Sequence, residues 1–456
     1  LGAVSCIVGQ VIDKEETLMR LATLLIAAVG VALGQPQPPP DRAEPMPPEI
    51  WADESAVLPL ADHAVQVPAE TRLVKGTNDF GFAMLRELAL SSPDKNVFVS
   101  PTSVALALGM AYTGAAGPTR DAMAAALRLQ GMTPGEADTS FSELLAGLAS
   151  SDPKVRVDIA NSLWARKGVK FSDEYLQAVR DLFAAEAKEL DFSSAAAPAT
   201  INAWVKAKTG GKIPSIVETI DPDDVLFLVN AVYFKGKWTN AFDKKLTKEG
   251  DFHLGADDEK RVMMMSRQAE FDYSEDPQLQ AVRLPYGDGQ LAMYVFLPRQ
   301  PEVEGSASMP DHGVGLEEFL GRLNPEDWSM WLDRFEPRQG RLVLPRFKLE
   351  YTQKLNEVLK SMGMAEAFEP GMADFSAMFA EPGSRSAYIS EVRHKTFVEV
   401  NEEGTEAAAA TSVGVTLTAM PTEEPFLMVA DRPFCCVIAD QKTGAVLFAG
   451  AIRDPS

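Results

Sequence analysis

VEVNEEGTEAAAATSVGVTLTAMPTEEPFLMVADRPF, residues 398–434, is the stretch on which the reading of this chain turns. Ahead of it and into it, Phe397-Val398-Glu399-Val400 alternates apolar and charged side chains, as a half-buried strand does. Behind it, Phe434 to Ile438 and Ala445 to Ala451 are apolar runs suited to buried strands. Between them, Thr405 to Val415 reads as a strand that runs on into the polar, proline-punctuated segment Thr418 to Pro425. Side chains along a strand alternate between its two faces. One register here is Thr405, Ala407, Ala409, Thr411, Val413 and Val415, with no charge, no large side chain and no proline. The other is Glu406, Ala408, Ala410, Ser412, Gly414 and Thr416, which puts Glu406 toward water. Gly404 stands in front, where a chain entering a sheet has to bend. A loop written this way has one face fit for burial in a sheet; an ordinary Ala/Thr-rich surface loop is the plainer reading of the same residues.

The rest of the chain decides between the two. Glu402-Glu403-Gly404-Thr405-Glu406 followed by Ala407-Ala408-Ala409-Ala410 resembles the hinge of inhibitory serpins, and Ala430-Asp431-Arg432-Pro433-Phe434 resembles the motif that follows their reactive loop. Further matches occur in order. Asn96 to Ser103 leads into the apolar run Val104 to Thr113 as a serpin strand leads into helix B. Ile201 to Val205 with Thr209 to Ile213 is similar to helix F and the turn after it. The run Leu226 to Phe234, then Lys235-Gly236-Lys237-Trp238 and Phe242, resembles the breach, where the loop first enters the sheet. Arg261 to Met265, Arg341 to Leu349, and Tyr388 to Lys395 complete the series.

What the resemblance implies is an α+β serpin fold: three β-sheets, eight or nine helices and an exposed reactive-centre loop at about 404–425. It implies a buried shutter network at Ser100, Ser103, Asn230 and His394, and a breach residue at Trp238. The residues themselves allow plainer roles beside these. Ser100 suits the N-cap of the helix begun by Pro101, Asn230 in an apolar strand needs hydrogen-bond partners in any fold, and Trp238 reads equally as a core aromatic. The implied activity is suicide inhibition of a serine protease, with cysteine proteases as a second class. The target forms an acyl-enzyme with the loop, and the cut loop enters the central sheet as a new strand, a form of strand addition. The runner-up is a non-inhibitory serpin, a carrier or chaperone, whose expected signature is a bulky or charged hinge. A generic binding module would leave the alternation from Thr405 to Val415 a coincidence.

Composition narrows the partners. The 456 residues are 46% hydrophobic and carry a net charge of −22, which suits a folded protein and disfavours nucleic acid, anionic membranes and heparin. A monomer is expected. Cys435 and Cys436 are neighbours in an apolar run and point to opposite faces of a strand, so they read as buried small hydrophobes, not as a disulfide. No zinc pattern occurs, and no cofactor or metal is expected. Neither a G-x-S-x-G elbow nor H-E-x-x-H is present, and four histidines, His63, His253, His312 and His394, are the whole supply. Gly210-Gly211-Lys212 fails as a phosphate loop because Lys206 stands where the first glycine belongs, and Gly287-Asp288-Gly289 with Ala292 is followed by a strand where a dinucleotide fold needs a helix. The chain reads as an inhibitor and not as an enzyme.

The N-terminal part reads as export and spacer. Met19-Arg20, the apolar Leu21 to Leu33 and the small residues near Gly34 form a secretory signal pattern, too short to cross a bilayer, which takes about 20 apolar residues. Residues 1–34 are therefore expected to be upstream extension and signal, with translation starting at Met19. Residues 35–71 are a proline-rich tail, and residues 72–456 the serpin domain, secreted to an extracellular or periplasmic space. Counting from Gly404 by family spacing places the scissile bond at Thr418-Ala419, with Leu417-Thr418 and Ala419-Met420 as neighbouring candidates. No Lys or Arg occurs from Gly404 through Asp431, so a trypsin-like pocket, which needs a cation for its buried carboxylate, finds no partner. The loop fits a small or medium apolar pocket: elastase-like, subtilisin-like, or chymotrypsin-like through Leu417.

Overall fold

The computed structural model describes residues 69–148, 152–255, 258–299, 315–380, 387–405 and 424–456. In chain order these give α1 (Ala69–Ser91), β1 (Val97–Val99), α2 (Pro101–Thr113), α3 (Gly117–Ala126), α4 (Pro134–Gly147), β2 (Val155–Arg166), α5 (Asp173–Phe183), β3 (Glu186–Leu190), α6 (Ala197–Lys208) and β4 (Leu226–Lys237). There follow β5 (Lys248–His253), β6 (Glu259–Glu275), β7 (Leu279–Pro285), β8 (Leu291–Pro298), α7 (Leu316–Arg322), α8 (Pro325–Leu332), β9 (Glu336–Pro345) and β10 (Phe347–Lys354). The chain closes with α9 (Asn356–Leu359), β11 (Ile389–Val400), β12 (Gly404–Thr405), β13 (Phe426–Val429), β14 (Phe434–Asp440) and β15 (Val446–Ile452).

Hydrogen bonding sorts the strands into two networks. One runs β10-β11-β4-β2-β3, with the short β12 at the end of β4; the other runs β1-β15-β14-β8-β7-β6-β9-β13, with β5 on β6. The second does the work of two sheets because β6 is 17 residues long. Its first residues pair with β5, its middle with β9, and only Asp272 to Glu275 with β7. The expected α+β fold is the one observed.

Burial explains the layers. Val232 and Phe234 of β4, Val398 and Val400 of β11, and Phe347 and Leu349 of β10 share a core with β5 to β9 and β13 to β15. On the opposite face of β4, Phe227, Val229, Ala231 and Tyr233 pack on Ile201 and Val205 of α6. β4 is thus covered on both sides, which is why it reads as an almost unbroken apolar run. The largely apolar α2 is buried from Pro101 to Tyr112 beneath this sheet. Cys435 and Cys436 fall into different cores, as neighbouring strand residues should, and burial pushes both thiols far up from their ordinary range.

Several sequence expectations need correcting. The run Arg341 to Leu349 is two strands in two networks, β9 and β10. Pro345 has no N–H to continue a ladder, and the Arg346 N–H turns to the carbonyl of Met263 at 2.8 Å. Tyr351 to Met364 is spaced like a helix in the sequence, but the helix begins only at Asn356, because Tyr351 and Thr352 pair with Thr396 and Lys395 of β11. Asn78 is not a cap. It lies inside α1, donates to the Gly444 carbonyl and accepts from the Val446 N–H, both at 2.9 Å. Met264 and Met265 are core residues, but Met263 is 37% exposed. The expected leader, nearly all of the tail, and the polar, Gly/Pro-rich run 300–314 that reads in the sequence as a surface insertion lie outside the described residues.

Candidate functional site: the hinge above a two-strand seam

β4 and β11 lie side by side and parallel, from Leu226↔Ile389 to Tyr233↔Phe397. Beyond Val400 the chain turns through Asn401 to Gly404 and doubles back. Gly404 and Thr405 then pair antiparallel with Lys237 and Gly236 at the end of β4. Gly404 has φ +132°, and a Cβ there would sit 2.1 Å from the Gly236 carbonyl oxygen. Only glycine tolerates both the left-handed backbone and that approach.

The turn is held by backbone and side-chain bonds together. The carbonyls of Glu402 and Glu403 accept from the N–H groups of Phe242 (2.8 Å) and Trp238 (2.9 Å), and the Trp238 indole N–H donates to the Asn401 carbonyl (2.9 Å). Trp238 is 5% exposed and stacks on Tyr286 with centroids 4.3 Å apart, so the core and hinge readings of this residue describe the same side chain. Glu402 is 2% exposed, and its Oε1 accepts from Arg346 Nε at 2.7 Å, from Arg346 Nη2 and from Thr247 Oγ1. Burial works to raise this carboxyl's pKa, but the hydrogen bonds from Arg346 and Thr247 outweigh it and hold the group below the ordinary carboxylate range. Glu403 is 4% exposed and bound to Lys244, and its second oxygen has no partner among the described residues.

A buried polar cluster lies beneath the middle of the seam. His394 is fully buried; its Nε2 accepts from the Ser100 N–H (3.1 Å) and its Nδ1 meets Asn230 Oδ1 (2.5 Å). Nε2 faces a donor, so the ring proton is assigned to Nδ1, and a second proton would point at an N–H. Desolvation pulls the imidazole down to about 3. Asn230 Nδ2 lies within hydrogen-bond range of Ser103 Oγ and Asn161 Oδ1, both 2.5 Å, and the Ser103 carbonyl at 3.0 Å. Ser100 caps α2 through the Ser103 N–H at 3.4 Å, and its hydroxyl donates to the Leu447 carbonyl at 2.5 Å. The fold therefore brings Ser100, Ser103, Asn230 and His394 into one cluster, while Trp238 and Glu402 to Thr405 gather at the end of β4.

Sequence reading missed Asn161, Thr396 (whose hydroxyl donates to the Phe98 carbonyl at 2.6 Å) and the cations Arg346 and Lys244. Asn161 had a signal, as a lone amide in the apolar strand Val157 to Trp164; the cations had none. Glu406, Ala407 to Ala410, Leu417, Thr418, Ala419 and Met420 lie outside the described residues. Among the described residues, no helix is long and apolar enough to cross a membrane, and no His, Cys, Asp and Glu cluster is built to hold a metal.

A family model described as Serpin (serine protease inhibitor) matches residues 75–455. An uncharacterized serpin-like protein of Thermococcus kodakarensis is 35% identical over 447 residues, 95% of this chain and 98% of the relative. Leukocyte elastase inhibitor of Xenopus laevis is 35% identical over 383 residues, 82% of this chain and 97% of the relative. Among solved structures, the thermophilic serpin Tengpin in its native state matches with TM-score 0.73 and 30% identity over 84% of this chain and 94% of that one. Human thyroxine-binding globulin matches with TM-score 0.75 and 26% identity, over 85% of this chain and 100% of that one. The family model, these relatives and these structures agree on one fold. The chain belongs to the serpin family.

Proposed function

We propose that this serpin is a secreted, monomeric suicide-substrate inhibitor of serine proteases with small or apolar primary specificity, with cysteine proteases as a second target class. The observation that carries this reading is the two-residue ladder of Gly404 and Thr405 on Lys237 and Gly236. Continued at the same register, that ladder sets Ala407 opposite Phe234, Ala409 opposite Val232, Thr411 opposite Asn230 and Val415 opposite Leu226. Directly opposed antiparallel residues share a face. Val232 and Phe234 face the core between the networks, and Leu226 and Leu228 face the helical core, so the small neutral register of the loop would enter the interior side. Glu406 falls opposite Lys235, in the register of β4 that faces α6. The incoming strand would part β4 from β11 and reach the Asn230–His394 cluster, which gives that cluster the role of a shutter and the Trp238 end the role of a breach.

The chemistry is the protease's own. Its serine oxygen attacks the Thr418 carbonyl, the bond to Ala419 breaks, and the Ala419 amine leaves with a proton. Loop insertion then carries the acyl-enzyme away from its docking position before water can deacylate it, releasing strain stored in the uncut form. A second reading, a non-inhibitory carrier, is favoured by the likeness to thyroxine-binding globulin. The run of alanines after Glu406 argues against it. Incubation with subtilisin, pancreatic elastase, chymotrypsin and trypsin, followed by denaturing electrophoresis and residual-activity assay, separates the two. Inhibition predicts a detergent-stable complex with at least one of the first three; a carrier yields only cleaved chain and active enzyme with all four.

A further inference from the structure

Among the described residues, one aromatic contact crosses the seam between β4 and β11. Tyr233 of β4 and Phe397 of β11 are direct register partners, and their ring centroids lie 5.9 Å apart with the planes tilted by 42°. The pair sits on the face of β4 that packs on α6, between the hinge ladder at Lys237 and the buried cluster at Asn230. Three further rows of that face are built differently. There Phe227, Val229 and Ala231 of β4 lie beside Glu391, Arg393 and Lys395 of β11, so each row has a charged member. Of these four rows, only Tyr233 and Phe397 set two large apolar groups against each other across the seam.

The pair is dry and braced at both ends. Tyr233 is 2% exposed and Phe397 6%, under Ile201 and Val205 of α6. Exposed Lys212 holds its ammonium over the Tyr233 ring at 5.6 Å, and exposed Lys348 of β10 holds its own over the Phe397 ring at 5.3 Å. A cation is drawn to a ring face, more strongly where water is excluded. The row Lys212, Tyr233, Phe397, Lys348 thus joins the two sides of the seam.

Loop entry has to break this row. Neighbouring strands lie about 4.8 Å apart, so a third strand between β4 and β11 sets them about 9.6 Å apart. Paired rings interact out to centroid separations of about 7 Å. Continued from the hinge ladder, the register brings Ala408 opposite Tyr233, so each ring exchanges an aromatic partner for a methyl group.

We infer that Tyr233 and Phe397 form a latch on the upper seam that sets how fast the cut loop enters, and so how many acyl-enzymes are trapped before water frees them. Both are buried away from a docked protease, so they are positioning residues that act by holding β4 to β11 until the loop arrives. The inference rests on the inhibitory reading above. Losing one aromatic pair is expected to speed opening of the seam about fivefold.

The test follows uptake of a synthetic peptide of residues 404–416 by the intact chain, which opens the seam without a protease, and urea unfolding of intact and loop-cleaved chain. The variants are Phe397→Leu, Tyr233→Leu, the two combined, and the ring-preserving Phe397→Tyr. Each leucine variant is expected to take up peptide about fivefold faster, the combination little faster than either, and Phe397→Tyr at the wild-type rate. In urea the two leucine substitutions should be non-additive in the intact chain and additive in the cleaved one, where Ala408 parts the rings. Lys348→Gln, at an exposed site, should speed uptake about twofold and keeps the latch open to test should the leucine variants fail to fold. Wild-type uptake rates in Lys348→Gln and in every leucine variant that folds, or single effects that simply multiply in the combined variant, overturn the latch. No peptide uptake by the unaltered chain, with a cleaved form no more stable than the intact one, overturns the inhibitory reading instead.

Discussion

His394 shows how one side chain ties the seam to the helix below it. The imidazole bridges the Ser100 N–H and Asn230 Oδ1 only while neutral, and burial holds its pKa near 3, well under the ordinary value of 6.5. Between those values the unfolded chain binds the extra proton and the folded one does not. Stability from this residue is therefore fully present above about pH 6.5 and is lost as pH falls toward 3, at up to about 1.4 kcal/mol per pH unit. The stability difference between wild type and His394→Gln, followed by urea unfolding from pH 7 to pH 4, should shrink or reverse as the pH drops. Parallel pH profiles contradict the assignment. Asn230 was legible in the sequence because a polar residue in an apolar strand demands partners, and His394 was legible only through the family resemblance. Gly404 was legible for its bend, though not for the 2.1 Å approach that forbids any other residue. Arg346 and Lys244 were not, since nothing local distinguishes a cation that will meet a buried glutamate from one that will meet water.

At the level of elements, strands covered on both faces and alternating strands were readable from periodicity alone. What failed were the places where pairing partners overrule local pattern. Tyr351 and Thr352 carry a helical spacing yet are strand because β11 pairs with them, and Pro345 ends one strand while Phe347 starts another in a different sheet. The same logic governs the hinge. Thr405 shares its register position with Gly236, on the face of β4 that also carries Phe234 and Val232. Thr405→Arg places a charge where the inserting strand is to be buried without a partner, a penalty of several kcal/mol. The variant should be cleaved at the wild-type rate but consume at least about ten equivalents per protease molecule inhibited. An unchanged stoichiometry of inhibition rejects the register.

For the whole molecule, the inhibitory mechanism proposed above requires an intact chain that has not reached its most stable arrangement. β4 and β11 pair with each other, while 406–416 carries the pattern of a strand that belongs between them. In that mechanism, cutting the loop would free it to add up to eleven residues of ladder on each side, each bringing backbone groups into pairing. The thermal midpoint of cleanly cut protein should exceed that of intact protein by tens of degrees, and equal midpoints argue against insertion. The most direct test is the intact mass of the product formed with subtilisin or pancreatic elastase, taken in denaturant. One species is expected, its mass that of protease plus this chain minus the peptide beginning at Ala419, stable to boiling in detergent. A mixture containing only free protease, the two cleavage fragments and no joined species contradicts it.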